Sequence, residues 1–184
     1  MSIALITGIT GQDGSYLTEL LLAKGYEVHG TVRRTSTLER SRLAHLYHDT
    51  SLYNKRLFLH YAELDDTTTL RRVLVRTAPQ EVYHLAGQSH VGLSFEIPET
   101  TCDFTAMGTL RLLEILRDLP QTPRFFHATS SEIFGRPAQS PQTEQTPIAP
   151  VNPYGVAKAF ATQLVRVYRE AHGLIPEITE GLYP

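Results

Sequence analysis

The strongest constraint on the fold stands at the N-terminus. An apolar run, Ile3-Ala4-Leu5-Ile6-Thr7, breaks into three glycines spaced three apart, Gly8, Gly11 and Gly14. Unbroken apolar character over so few residues fits a strand buried on both faces of a parallel sheet. The glycines then open a helix expected over 14–24, with Tyr16, Leu17, Leu20, Leu21 and Ala23 as its apolar side and Gly25 as its stop. A buried strand feeding directly into a helix commits the chain to a crossover connection, not a hairpin.

The cycle repeats downstream. Strands are expected over 27–32, 56–61, 81–86 and 124–128. Helices are expected over 67–76, with Asp65 or Asp66 near the cap, and over 99–119, with Phe104, Met107, Leu110 and Leu113 at helical spacing. The charged stretch 36–47 is a weaker helical candidate. A proline-rich loop (Pro137, Pro141, Pro147, Pro150, Pro153) leads to a last helix over 154–172. Strands alternating with helices imply right-handed crossovers and a doubly wound parallel sheet of the Rossmann type, an α/β fold. A chain of 184 residues supports one domain, burying roughly 70% of its unfolded surface.

Composition removes several classes of function. With 17 Lys+Arg against 19 Asp+Glu, the net charge is −2, which excludes a strongly basic nucleic-acid binder and an acidic disordered tail. Cys102 is the single cysteine, so no internal disulfide forms. No apolar run reaches the roughly 18 residues of a membrane span, and the N-terminus lacks the basic and cleavage regions of a signal peptide. The expectation is a cytoplasmic protein without membrane or nucleic-acid partners. His45, His48 and Asp49 read as polar residues of an exposed helix, and no metal site is assigned.

The glycine loop suits a diphosphate. Gly8 permits a tight turn, Gly11 lets backbone approach the phosphates, and Gly14 lets helix pack on strand. Thr10, Gln12 and Asp13 complete the loop, and the helix N-terminus offers free N–H groups. A dinucleotide follows from the strand–loop–helix context. The second strand ends in Val32-Arg33-Arg34-Thr35, without the carboxylate that would hold a ribose 2′-hydroxyl. Arg33 can pair a 2′-phosphate through two parallel hydrogen bonds, so NADP is preferred over NAD. The alternative is that Arg33 and Arg34 are solvated surface charges. Glu63 and Leu64 after the third strand, and Leu85, Ala86, Gln88 and Ser89 after the fourth, share the sheet edge where such folds bind ligands.

Tyr154 and Lys158 stand at i and i+4 on the last helix, with phenol and ammonium on one face. The cation is expected to lower the Tyr154 pKa, making it a general base. At the end of the fifth strand, Ser130 can hydrogen-bond a substrate oxygen and Glu132 can abstract a proton beside a carbonyl. The bland alternative is a serine-capped strand end with Glu132 in solvent.

Residues 8–16 (GITGQDGSY), 32–35 (VRRT), 85–91 (LAGQSHV), 130–135 (SSEIFG) and 152–158 (NPYGVAK) together resemble the GDP-mannose 4,6-dehydratase family, extended short-chain dehydrogenases/reductases, over about 1–174. The resemblance implies that Tyr154 takes the proton of the sugar 4-hydroxyl while hydride passes to NADP. Glu132 then removes the C5 proton as the C6 hydroxyl leaves as water, and hydride returns to C6. Ser130 matches a threonine that hydrogen-bonds the reacting oxygen, and Lys158 holds the ribose. GDP-mannose is the implied substrate. The implied assembly is a homodimer or tetramer in which two helices of each subunit pack as a bundle. A carboxylate beside the hydroxyl serves elimination and is superfluous in a simple alcohol dehydrogenase.

The chain also departs from the family pattern. Ser130 replaces the threonine, Glu63 an aspartate, Gly87 an alanine and Thr100 a tyrosine. Residues 175–184 (IPEITEGLYP) form an atypical, truncated tail after a 1–174 NADP-binding domain, and the C-terminal substrate lobe is largely missing. Little turnover is expected from these residues alone. The alternatives are a related nucleotide-sugar epimerase or oxidoreductase, and a non-catalytic dinucleotide-binding fragment.

Overall fold

A computed structural model describes residues 1–34 and 41–173. Five parallel strands, β1 (Ile3–Thr7), β2 (Glu27–Val32), β3 (Leu57–Tyr61), β4 (Glu81–His84) and β5 (Arg124–His127), lie in the order β3-β2-β1-β4-β5. β1 sits centrally, pairing Leu5 with His29 on one side and with Val82 on the other. The doubly wound expectation holds, and the strand boundaries differ mainly where β4 and β5 end early.

Helices cover both faces. On one, α1 (Gln12–Ala23) and α2 (Ala44–His48) enclose Ala4, Ile6, Ile9, Val28 and Leu57. On the other, α3 (Thr67–Thr77), α5 (Gly108–Arg117) and α6 (Pro153–His172) enclose Leu5, Val82 and Phe125. The alternation along β1 explains its unbroken apolar run: Ala4 and Ile6 face one helical layer and Leu5 the other. Each such Leu or Ile contributes about 1.5–3 kcal/mol by leaving water.

Three expectations need correction. In α1 the buried residues are Gly14, Ser15, Thr18, Leu21 and Leu22, whereas Tyr16 and Leu20 are 64% and 51% exposed. Thr18 is buried because its hydroxyl donates to the Gly14 carbonyl at 2.7 Å, which hides its polarity within the helix. The expected helix over 99–119 is three pieces: α4 (Pro98–Cys102), a π-helical turn (Asp103–Met107) and α5. The wide turn shifts the buried face, so Thr105 and Thr109 enter the interior while Met107 is 38% exposed. The described part of the 36–47 candidate holds a 3-10 turn (Ser41–Leu43) and the short α2; the rest lies outside the described residues, as does the tail over 175–184.

Asp66 caps α3 by accepting from the Thr69 backbone N–H at 3.0 Å, as its position suggested. Asn152 caps α6, with Pro153 in its first turn, a pairing that favours a sharp helix start.

Candidate active site

All the sequence-derived candidates lie at or just after the C-terminal ends of the strands, on the first turn of α1 or on the first two turns of α6. The loop after β1 is built on two close approaches. Gly8 has φ +76°, and a Cβ there would stand 2.9 Å from the Ala86 nitrogen; a Cβ on Gly14 would stand 2.4 Å from the Gly8 carbonyl oxygen. Thr10 is half-buried, and Gly11, Gln12 and Asp13 are exposed. Gly11 occupies the N-cap position of α1 and supplies no side-chain cap. The first N–H groups of this 12-residue helix therefore face an open loop, the arrangement that receives a diphosphate.

Arg33 and Arg34 are exposed at the end of β2. Glu63 accepts from the Arg34 backbone N–H at 3.2 Å, which ties the ends of β2 and β3 together. Leu64 is 5% exposed, and its carbonyl accepts from Arg111 at 3.3 Å. Its side chain belongs to the core. Among the residues after β4, Leu85 and Ala86 are partly buried and Ser89 is exposed. Gln88 donates to Thr101 Oγ1 at 3.1 Å, and His90 Nδ1 accepts from the Leu93 N–H at 3.0 Å, so His90 caps the short turn that follows.

A buried polar chain that sequence reasoning missed supports this loop. Thr109 Oγ1 donates to the Thr105 carbonyl at 2.8 Å, so it receives the Nε2–H of His84 at 3.0 Å. His84 Nδ1 is then an acceptor, and Thr7 Oγ1 donates to it at 2.7 Å while accepting the Ala86 N–H at 3.3 Å. The π-helical turn takes part through Thr105 Oγ1, which accepts the Gln88 N–H at 3.3 Å. Burial, aided by the nearby Lys158 charge, lowers His84 to about 3, so it is neutral. Stacked on it at 5.5 Å, His127 is likewise held well below the usual histidine range, chiefly by burial.

At the end of β5, α6 delivers the remaining side chains. Lys158 is 5% exposed and donates Nζ to the Ala128 carbonyl at 2.7 Å; burial lowers it to about 8. Tyr154 is 8% exposed, and its phenol lies near enough to the Ser130 side chain for that hydroxyl to lower its pKa. Ser130 Oγ also accepts the Glu132 N–H at 3.2 Å, capping the turn Ser131–Phe134. Glu132 is half-buried rather than in solvent, and Oε2 accepts from Asn152 Nδ2 at 2.6 Å. The expected lowering of Tyr154 by Lys158 is not found. Burial raises the phenol, the Ser130 hydroxyl lowers it by less, and the Glu132 charge raises it further. The ammonium is committed to Ala128 and does not set the phenol.

A phenol, a hydroxyl and a carboxylate thus share one strand end, beside a loop shaped for a diphosphate. The sequence profile of GDP-mannose 4,6 dehydratase matches residues 5–181. The chain belongs to the GDP-mannose 4,6-dehydratase family. A Vibrio cholerae GDP-mannose 4,6-dehydratase is 52% identical over 173 residues, 93% of this chain and 46% of the relative. GDP-mannose 4,6 dehydratase 2 of Arabidopsis thaliana is 53% identical over 177 residues, 94% of this chain and 47% of the relative. The chain therefore spans about half the length of the curated dehydratases it matches.

Solved structures place it in the same fold. The dTDP-glucose 4,6-dehydratase DesIV of Streptomyces venezuelae, with NAD and TYD bound, superposes with TM-score 0.83 at 27% identity over 96% of this chain and 53% of its own. The UDP-glucose 4-epimerase of Brucella ovis in complex with NAD gives TM-score 0.80 at 27% identity over 95% and 50%.

Proposed function

We propose that residues 1–174 form the dinucleotide-binding and catalytic part of a GDP-mannose 4,6-dehydratase, which converts GDP-mannose to GDP-4-keto-6-deoxy-mannose with NADP recycled in each turnover. The observation that carries this reading is the meeting of Tyr154, Ser130 and Glu132 at the end of β5. An oxidoreductase that only moves hydride needs the first two; a carboxylate within reach of the same substrate adds elimination.

The glycine loop and the uncapped start of α1 fit the diphosphate of a nicotinamide dinucleotide, and Arg33 fits the 2′-phosphate that distinguishes NADP. When bound, that group takes hydride from the sugar and returns it. Tyr154 accepts the proton of the 4-hydroxyl, and Ser130 hydrogen-bonds the same oxygen. Burial keeps Tyr154 protonated in the free chain, so its proton loss is coupled to ligands entering the site. Lys158, anchored on Ala128, holds the ribose. Glu132 removes the C5 proton, acidified by the 4-ketone, and passes it to the C6 hydroxyl, which departs as water.

The outer face of α6 supports assembly with a second copy, as in a homodimer or tetramer: Val156, Phe160 and Val167 are 45–53% exposed. The proposed location is the cytoplasm; among the described residues no helix is long and apolar enough to cross a membrane.

The test is a fusion of this chain to the C-terminal half of the Vibrio cholerae relative, supplied with NADP and GDP-mannose. The expected product is the 4-keto-6-deoxy sugar nucleotide. A C4-inverted sugar, or no consumption beside a control fusion carrying that relative's own N-terminal half, would overturn the reading.

A further inference from the structure

Asn152 stands between the two halves of the candidate site. It is 7% exposed and makes two side-chain hydrogen bonds at the start of α6. Its amide oxygen accepts the Gly155 backbone N–H at 2.7 Å, and its amide nitrogen donates to Glu132 Oε2 at 2.6 Å. The first bond fixes the sense of the second. A backbone N–H is only a donor, so the oxygen must face Gly155 and the NH2 must face the carboxylate. An NH2 group has no lone pair to meet a carboxyl proton. Donation to Oε2 occupies one of its lone pairs and lowers its basicity, so Oε1, the oxygen this contact leaves open, is the favoured site for a proton that Glu132 takes up.

The backbone holds the same pieces together. A Cβ on Gly155 would stand 2.5 Å from the Glu132 carbonyl oxygen, so the first turn of α6 lies directly on the turn that carries Glu132. The Ala149 N–H bonds the Ile133 carbonyl at 2.9 Å, closing the far side. That first turn of α6 also carries Tyr154.

We propose that Asn152 is a positioning residue that selects Oε1 of Glu132 as the proton-accepting atom and fixes it in register with Tyr154. The register rests on contacts within this chain; the proton transfer rests on the dehydratase reading above. Asn152 is thus more than a helix cap, and the two roles separate by substitution. Ser and Asp are both good N-caps, so Asn152→Ser and Asn152→Asp keep an acceptor for Gly155. Neither keeps the amide donor to Glu132, and Asp sets a second negative charge against it.

The experiment uses the isotopically labelled 184-residue chain by NMR, which needs no turnover. In Asn152→Ser and Asn152→Asp, the Gly155 amide stays protected from hydrogen exchange while the Glu132 δ-carbon resonance shifts. In Glu132→Ala, the Asn152 side-chain amide protons move to the position of the exposed Asn54, with the Gly155 cap intact. An unmoved Glu132 resonance in both capping variants, or an unmoved Asn152 amide in Glu132→Ala, would reduce Asn152 to a cap and overturn the proposal. Should both capping variants lose Gly155 protection, the Glu132→Ala result decides. None of these outcomes bears on whether the site dehydrates GDP-mannose, which the fusion assay judges separately.

Discussion

Lys158 Nζ donates to the carbonyl of Ala128 at 2.7 Å, pinning the second turn of α6 to the end of β5. The ammonium is almost wholly buried, and its proton is held less tightly than in the unfolded chain, with the pKa lowered from 10.5 to about 8. Below pH 8 both states carry that proton and stability does not respond. Between about 8 and 10.5 the unfolded state holds more proton, so stability rises with pH by about 1.4 kcal/mol per unit. Replacing the charge by an apolar side chain of similar length removes the response. Thermal unfolding of wild type and Lys158→Met should show the wild type gaining stability between pH 8 and about 9.5, with the variant flat.

Acid should act through the histidines before the carboxylates. The neutral His84 is held at about 3 and His127 is also lowered, both first by burial. Their depressed folded values mean stability is complete above the ordinary histidine range, near 6.5, and is lost as pH falls toward 3. His84 contributes a slope of about 1.4 kcal/mol per pH unit in that window, and His127 acts in the same direction. A urea midpoint series from neutral pH downward should fall from about pH 6, and His127→Leu should make the decline shallower. A midpoint constant down to the carboxylate range would contradict the burial of neutral imidazoles.

Gly14 tests the loop. A methyl group there meets the Gly8 carbonyl oxygen at 2.4 Å and Ile9 Cα at 2.8 Å, both backbone atoms that cannot swing aside. Gly14→Ala is expected to cost about 3 kcal/mol and to abolish dinucleotide binding, read by chemical denaturation and calorimetry. Retention of both would mean the loop can open without loss.

Arg33 tests the choice of dinucleotide. A guanidinium on a 2′-phosphate is worth about 1.5–3 kcal/mol, so Arg33→Ala should weaken NADP binding about ten- to hundredfold and leave NAD binding nearly unchanged. Calorimetric titration with both cofactors decides; equal losses would remove Arg33 from specificity.

The order of elements was legible because the signals were local. The apolar run of β1 and the glycines after it each act over a few residues. What escaped depended on contacts that residue type alone does not reveal. Thr18 and Thr109 look polar in sequence, yet each hydroxyl bonds a carbonyl four residues back, which lets both be buried. The π-helical turn carries no glycine or proline within Asp103–Met107, so no residue announced the phase shift that buries Thr105. Tyr154 and Lys158 stand one turn apart on α6, but the i+4 spacing carries no sign that Ala128 claims the ammonium. Asn152 stands outside the helix expected over 154–172, and its bond to a residue twenty positions earlier has no local signal.

The central claim is that Glu132 performs elimination within the site where Tyr154 serves oxidation. A single-turnover reaction of the fusion protein in heavy water, comparing wild type with Glu132→Gln, tests it directly. The variant should still form reduced nicotinamide from GDP-mannose, while release of water and deuterium uptake at C5 fall by about a hundredfold or more. Dehydration at the wild-type rate in Glu132→Gln would contradict the claim.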